Sequence, residues 1–201
     1  MNLDLLVKEL KEKHNCHTII LYGSYFDNSY NKNSDIDIIC VIDKGESYTD
    51  ARLIDNIFLD GWIYTEKDLE NIEDWYHLKD SKLLLDEKGF GKLFLAKIKE
   101  ISDTVEIDLK KLEHEFTWSL KMLKRIQLED EEGLYRKFWL LKDLLEYYFM
   151  VRGIRFKGSK KSFIYLKNND LEIYDLFSFV YKNTCDYNKI ERLIKKVFKK
   201  E

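Results

Sequence analysis

Gly23-Ser24, a ten-residue stretch rich in Asn, Ser and Asp, and then Asp35-Ile36-Asp37 at the head of an apolar run are the residues here whose types and spacing can do chemistry. Alternate residues of a strand share a face, so Asp35 and Asp37 project together while Ile36 turns into the core. Two like charges placed this way repel each other and add nothing to a purely structural strand. A divalent cation resolves the conflict, because Mg²⁺ takes oxygen ligands from one or two carboxylates and fills its shell with substrate phosphates. Gly23 has no Cβ and lets successive backbone N–H groups turn toward an anion, and Ser24 adds a hydroxyl donor. Together these residues suit a triphosphate and its metal. Asp60, within Leu59-Asp60-Gly61-Trp62-Ile63, sets a charge in an otherwise apolar strand, where it is costly unless compensated. If that strand lies beside residues 35–42, Asp60 completes an acidic triad, either as a metal ligand or as the base for an attacking hydroxyl. Asp55 is the competing third carboxylate, although Asp55-Asn56 also reads as a turn.

The elements that must position these residues follow from hydrophobic periodicity. Residues 3–13 carry an amphipathic helical pattern, and residues 18–22 form a β-branched run stopped by Gly23-Ser24. A loop over 25–34 leads to a strand over 35–42. Residues 51–54 and 57–64 read as a hairpin about Asp55-Asn56. Leu83-Leu84-Leu85 is a last strand or the start of a helix. From about Thr104 the period becomes helical, with one seam through Leu109, Leu112, Phe116, Leu120 and Leu123 and a second through Leu134, Phe138, Leu141, Leu145 and Tyr148. Shorter helical patterns follow over 162–166, 171–181 and 187–198. The expected fold is α/β (α+β), with a sheet-containing domain over 1–103 and an all-helical bundle over 104–201.

Composition narrows the function classes. A hydrophobic fraction of 45% supports a buried core, and 35% charged residues with no long apolar run exclude a membrane-embedded body. The net charge of −3 argues against general nucleic-acid binding. Residues 151–201 nevertheless hold 13 Lys/Arg against 6 Asp/Glu, so the acidic charge sits in the first 150 residues. Cys16, Cys40 and Cys185 are far apart and odd in number, which fits neither a disulfide framework nor a zinc cluster and suggests a reducing, cytoplasmic setting. His14, His17, His77 and His114 show no metal-ligand spacing.

Gly23-Ser24 followed by Asp35-Ile36-Asp37, with Asp60 on a later strand, resembles the DNA polymerase β-like nucleotidyltransferase superfamily. The length and helical second half are most similar to small bacterial aminoglycoside (kanamycin- and streptomycin-type) nucleotidyltransferases. The motif region spans residues 18–64, with looser similarity through Glu131-Glu132-Gly133-Leu134-Tyr135-Arg136 and Phe156-Lys157-Gly158-Ser159-Lys160. The resemblance implies a mixed sheet flanked by helices and two Mg²⁺ ions held by Asp35, Asp37 and Asp60. It further implies transfer of NMP (AMP is expected) from an NTP to a hydroxyl of a small acceptor, an aminoglycoside among the candidates, with release of pyrophosphate. Relatives carry Arg-x-x-Gly after the Gly-Ser pair, whereas this chain has Tyr25-Phe26-Asp27-Asn28, which removes a fixed phosphate-binding charge. Lys157, Lys160 and Lys161 are the cations that can replace it. The alternative reading is an antitoxin-like interaction protein that binds or nucleotidylates a helical partner protein.

The acceptor side is thinner. Glu129-Asp130-Glu131-Glu132 can attract a polycation or supply a base, but acidic residues ahead of a helix also stabilise its N-terminus without any ligand. Glu115 is a further candidate base. The aromatic helical seams allow a homodimer without demanding one.

Overall fold

A computed structural model describes residues 2–26, 30–183 and 186–199. The chain divides into two compact units, residues 1–101 and 102–201.

The first unit is built on a five-stranded mixed sheet of β1 (Thr18–Tyr22), β2 (Ile36–Ile42), β3 (Tyr48–Ile54), β4 (Ile57–Thr65) and β5 (Lys82–Asp86), in the order β3-β4-β2-β1-β5. β1 runs antiparallel to β2 and β5, and β3 antiparallel to β4, whereas β2 and β4 are parallel. Both faces are covered, which is why β1 and β2 read as near-continuous apolar runs. α1 (Leu3–His14) buries Leu6 and Leu10 against Ile19, Leu21, Ile36, Ile38, Leu59 and Ile63. On the opposite face, α2 (Phe90–Glu100) and the 3₁₀ segment Ile72–Lys79 cover Ile20, Ile39 and Val41. The hairpin between β3 and β4 turns on Asp55 (φ 50°) and Asn56 (φ 63°), two left-handed residues in a two-residue loop.

The second unit is helical: α3 (Leu109–Ile126), α4 (Glu131–Val151), α5 (Ser159–Asn169), α6 (Leu171–Lys182) and α7 (Tyr187–Phe198) enclose one core. The buried stripe of α4 departs from the expected seam. Leu134 and Phe138 are exposed, the latter by 66%, and Leu140, Leu141, Leu144, Leu145 and Tyr148 face inward. Apolar residues occur on every side of this helix, so spacing alone does not identify its inner face. Among the described residues no helix is long and apolar enough to cross a membrane.

One buried carboxylate is fully compensated. Asp50 on β3 lies within 2.9 Å of Lys13 Nζ, His14 Nε2 and Arg52 Nε, on the α1 face of the sheet. Burial alone would raise its pKa, but these three donors hold the carboxyl below the usual range. Removing one member of a buried charged group strands the others, so Asp50→Ala should cost roughly 3 kcal/mol in urea denaturation at pH 7. Because the folded pKa is depressed, the difference from the unsubstituted chain should shrink as pH falls through the carboxylate range.

Candidate active site

The register of the sheet assembles the carboxylates. Asp37 on β2 pairs with Asp60 on the parallel β4, and with Tyr22 at the end of β1 on its other side. Their immediate neighbours Ile36, Ile38 and Leu59 belong to the α1 core, so alternation sends Asp37 and Asp60 to the opposite face at the same level. In-register residues on adjacent strands lie about 5 Å apart. Asp35 sits one residue ahead of β2 and is exposed. No described lysine, arginine or histidine is paired with any of the three. Burial, then Asp60, then Asp35 push the Asp37 carboxyl up to about 6.

Gly23 completes the arrangement. Its φ is +69°, and a Cβ there would fall 2.0 Å from Asp37 Oδ2. The strand end therefore requires glycine twice, once for the left-handed backbone and once for room beside the carboxylate. Gly23, Ser24 and Tyr25 form a single 3₁₀ turn, and Tyr25 stacks on Tyr30 at 4.6 Å between ring centroids. Asp27 and Asn28, where the sequence departs from Arg-x-x-Gly, lie outside the described residues.

Tyr22 was not singled out by residue type, yet it belongs to this site. Its phenol is raised by burial and by the charges of Asp37 and Asp60, and its ring meets His77 edge-on at 5.6 Å. Only the β1–β2 register reveals it. Phe58 and Trp62 alternate with Asp60 on the same face of β4, and both remain exposed. Among the described residues no three His, Cys, Asp or Glu side chains are placed to hold an ion by themselves. The donor set is two apposed carboxylates with a third at the solvent edge. It suits a hard cation completed by substrate oxygens and does not suit a closed protein cage.

The remaining candidates have other partners or lie elsewhere. Lys157 and Lys160 belong to the helical unit, ahead of α5 and in its first turn, and Lys157 Nζ is 3.3 Å from Asp103 Oδ2. Asp55 occupies the hairpin turn. Three of the four acidic residues at the start of α4 are tied down: Asp130 accepts from Gly133 N and from Arg125, Glu132 from Arg125 and Arg136, and Glu129 from the Tyr187 hydroxyl. Glu115 accepts from the Tyr147 hydroxyl. Cys16 and Cys40 are free and buried, and Cys185 lies outside the described residues.

The family model of the nucleotidyltransferase domain matches residues 3–199. The chain belongs to this family, within the polymerase β-like superfamily. Family membership makes the protein a transferase of nucleoside monophosphate groups, with an NTP as donor substrate. Among solved structures the chain is similar to a nucleotidyltransferase-like protein from Exiguobacterium sibiricum 255-15, at 11% identity and a TM-score of 0.46, covering 97% of this chain and 75% of that one. No curated protein matches the chain in sequence.

Two measurements check the geometry of this candidate site. Asp37 is more easily protonated in the folded chain than in the unfolded one, where a carboxyl titrates near 4. Its unfavourable contribution is therefore absent at low pH and grows as pH rises through about 6. In chelator, Asp37→Asn should be more stable than the unsubstituted chain at pH 7.5 by about 1 kcal/mol, the half-exposed carboxyl being partly screened by solvent. The gain should vanish near pH 4. Gly23→Ala should cost about 2 kcal/mol by chemical denaturation, from the left-handed backbone and the collision with Asp37.

Proposed function

We propose that the chain transfers NMP, with AMP the expected group, from an NTP to a hydroxyl of a small acceptor at the Asp37–Asp60 pair, releasing pyrophosphate. The observation that carries this reading is the in-register, uncompensated pair beside a glycine turn. Asp37 and Asp60, with Asp35 at the edge, would hold Mg²⁺, and two ions suit three carboxylates with donor phosphates between them. Bound metal supplies charge neutralisation on the phosphates and lowers the pKa of the attacking hydroxyl. The Gly23 turn and the Ser24 hydroxyl offer donors to the triphosphate. Lys157 and Lys160 are proposed as the cations that take the place of the missing arginine.

The acceptor approaches from the far side of the carboxylates. Across the sheet, Ser24 follows β1 on one side of β2, and β4 with Phe58 and Trp62 lies on the other. An acceptor with a flat apolar face would rest on these rings and direct a hydroxyl toward Asp60. Aminoglycosides remain within this class through their sugar rings.

An interaction protein with secondary transfer activity is the second reading. It draws on Tyr135, Phe138 and Trp139, which lie exposed on α4 and would suit a helical partner protein or a second copy of the chain.

The test is incubation with each NTP, Mg²⁺ and a panel of aminoglycosides, other sugars, nucleosides and proteins, following pyrophosphate release. Asp37→Asn and Asp60→Asn should each lower transfer at least 100-fold, of the order expected when a charged group acting in the transition state is lost, while the fold stays intact. Full activity in a folded Asp37→Asn chain would overturn the assignment.

A further inference from the structure

Helix α4 buries one stripe in the core of the helical unit and leaves a second apolar stripe uncovered. Leu134, Tyr135, Phe138 and Trp139 recur at helical spacing and so share this outer face, and the three aromatic residues are each more than half exposed. The Tyr135 and Trp139 rings already pack on each other at 5.5 Å between centroids, which limits the freedom they would lose on burial. The terminal helix α7 shows what a solvated face of this unit looks like: its exposed positions include Asn188, Arg192 and Lys195. At roughly 200 Å² per aromatic side chain, the α4 stripe offers on the order of 400 Å² of apolar surface, the size at which a patch marks an interaction site. Charges of opposite sign close the stripe at its two ends. Glu131, one turn before Tyr135, has no ion-pair partner among the described residues. Lys142, one turn after Phe138, is exposed and lies 3.4 Å from Asp143 and 3.3 Å from Glu146 of its own helix.

We infer that this face joins two copies of the chain, with α4 packing antiparallel on α4 about a two-fold axis midway between Tyr135 and Phe138. That axis sets Tyr135 level with the second copy's Phe138, and Glu131 level with the second copy's Lys142. The rings are buried from both sides, and an acidic end meets a basic end twice. A parallel pairing would instead set like charges against each other at both ends. Any other helical partner must supply acid, rings and base in the reverse order, which a second copy supplies by symmetry. Two stripes bury about 800 Å², and with Glu131, Lys142 and their neighbours at the rim the interface reaches about 1,000 Å², the lower bound for a specific contact. The dimer is therefore weak, with dissociation in the micromolar range. It rests on the exposed α4 face of the second reading and on nothing in the carboxylate site.

Sedimentation equilibrium of the full chain from about 1 to 200 μM, in low and high salt, tests the inference. The unsubstituted chain should pass from monomer to dimer within that range. Phe138→Asp, a change at an exposed position, should weaken association at least about 100-fold while the circular dichroism spectrum stays the same. Glu131→Lys and Lys142→Glu should each weaken it about ten-fold at low salt, since each reverses two symmetric ion pairs. The double variant should recover the original affinity. Asp37→Asn should associate as the unsubstituted chain does, so the dimer and the transfer reading fail separately. A chain that stays monomeric throughout, a dimer that Phe138→Asp leaves intact, or a double variant no tighter than the single ones would overturn the inference, and the first of these would leave the face to a helical partner protein.

Discussion

Two carboxylates held level on neighbouring parallel strands, with no protein cation between them, are the constraint around which the first unit is organised. Asp37 and Asp60 cannot move apart without breaking the β2–β4 register, because Ile36 and Ile38 around Asp37 and Leu59 beside Asp60 are locked into the α1 core. Gly23 closes the third side so tightly that any side chain there would strike Asp37. The fold thus holds a repulsive pair in place, with Asp60 and Asp35 both pushing the Asp37 carboxyl up. Perturbed acids of this kind, partly buried and charge-coupled, mark functional sites more often than structural ones.

Asp50 shows the contrast within the same sheet. It is more buried than Asp37, yet Lys13, His14 and Arg52 surround it and its pKa falls. Asp37 has only other carboxylates for charged company and its pKa rises. The same side chain is a structural anchor on one face and a proposed metal ligand on the other. Burial pushes both carboxyls up, and the three donors around Asp50 are what reverse its direction.

The sequence made the strand pattern of the first unit legible because a period of two places Asp35 and Asp37 on one side, and because Gly23-Ser24 and Asp55-Asn56 punctuate the chain. The pairing of β4 with β2 entered only as a condition, and the register that satisfies it is tertiary. Tyr22 was invisible for the same reason: its place beside Asp37 depends on which residue of β1 faces which of β2. Helix α2 has no start signal in the sequence, because its N-cap is Gly89, which carries no capping side chain. In α4, apolar residues on all sides concealed which stripe is buried. The Asp50 cluster draws on α1 and β3 together, and no local pattern in either element encodes it.

Burial and two neighbouring carboxylates hold the Asp37 carboxyl up, and under the proposed function a divalent cation would release it. Carboxyl-carbon NMR of the ¹³C-labelled, metal-free chain reads this directly. The Asp37 resonance should titrate with a midpoint near 6, and Mg²⁺ with a non-hydrolysable NTP should drive that midpoint well below the ordinary carboxylate range. A midpoint near 4 that Mg²⁺ and nucleotide leave unmoved would contradict the claim.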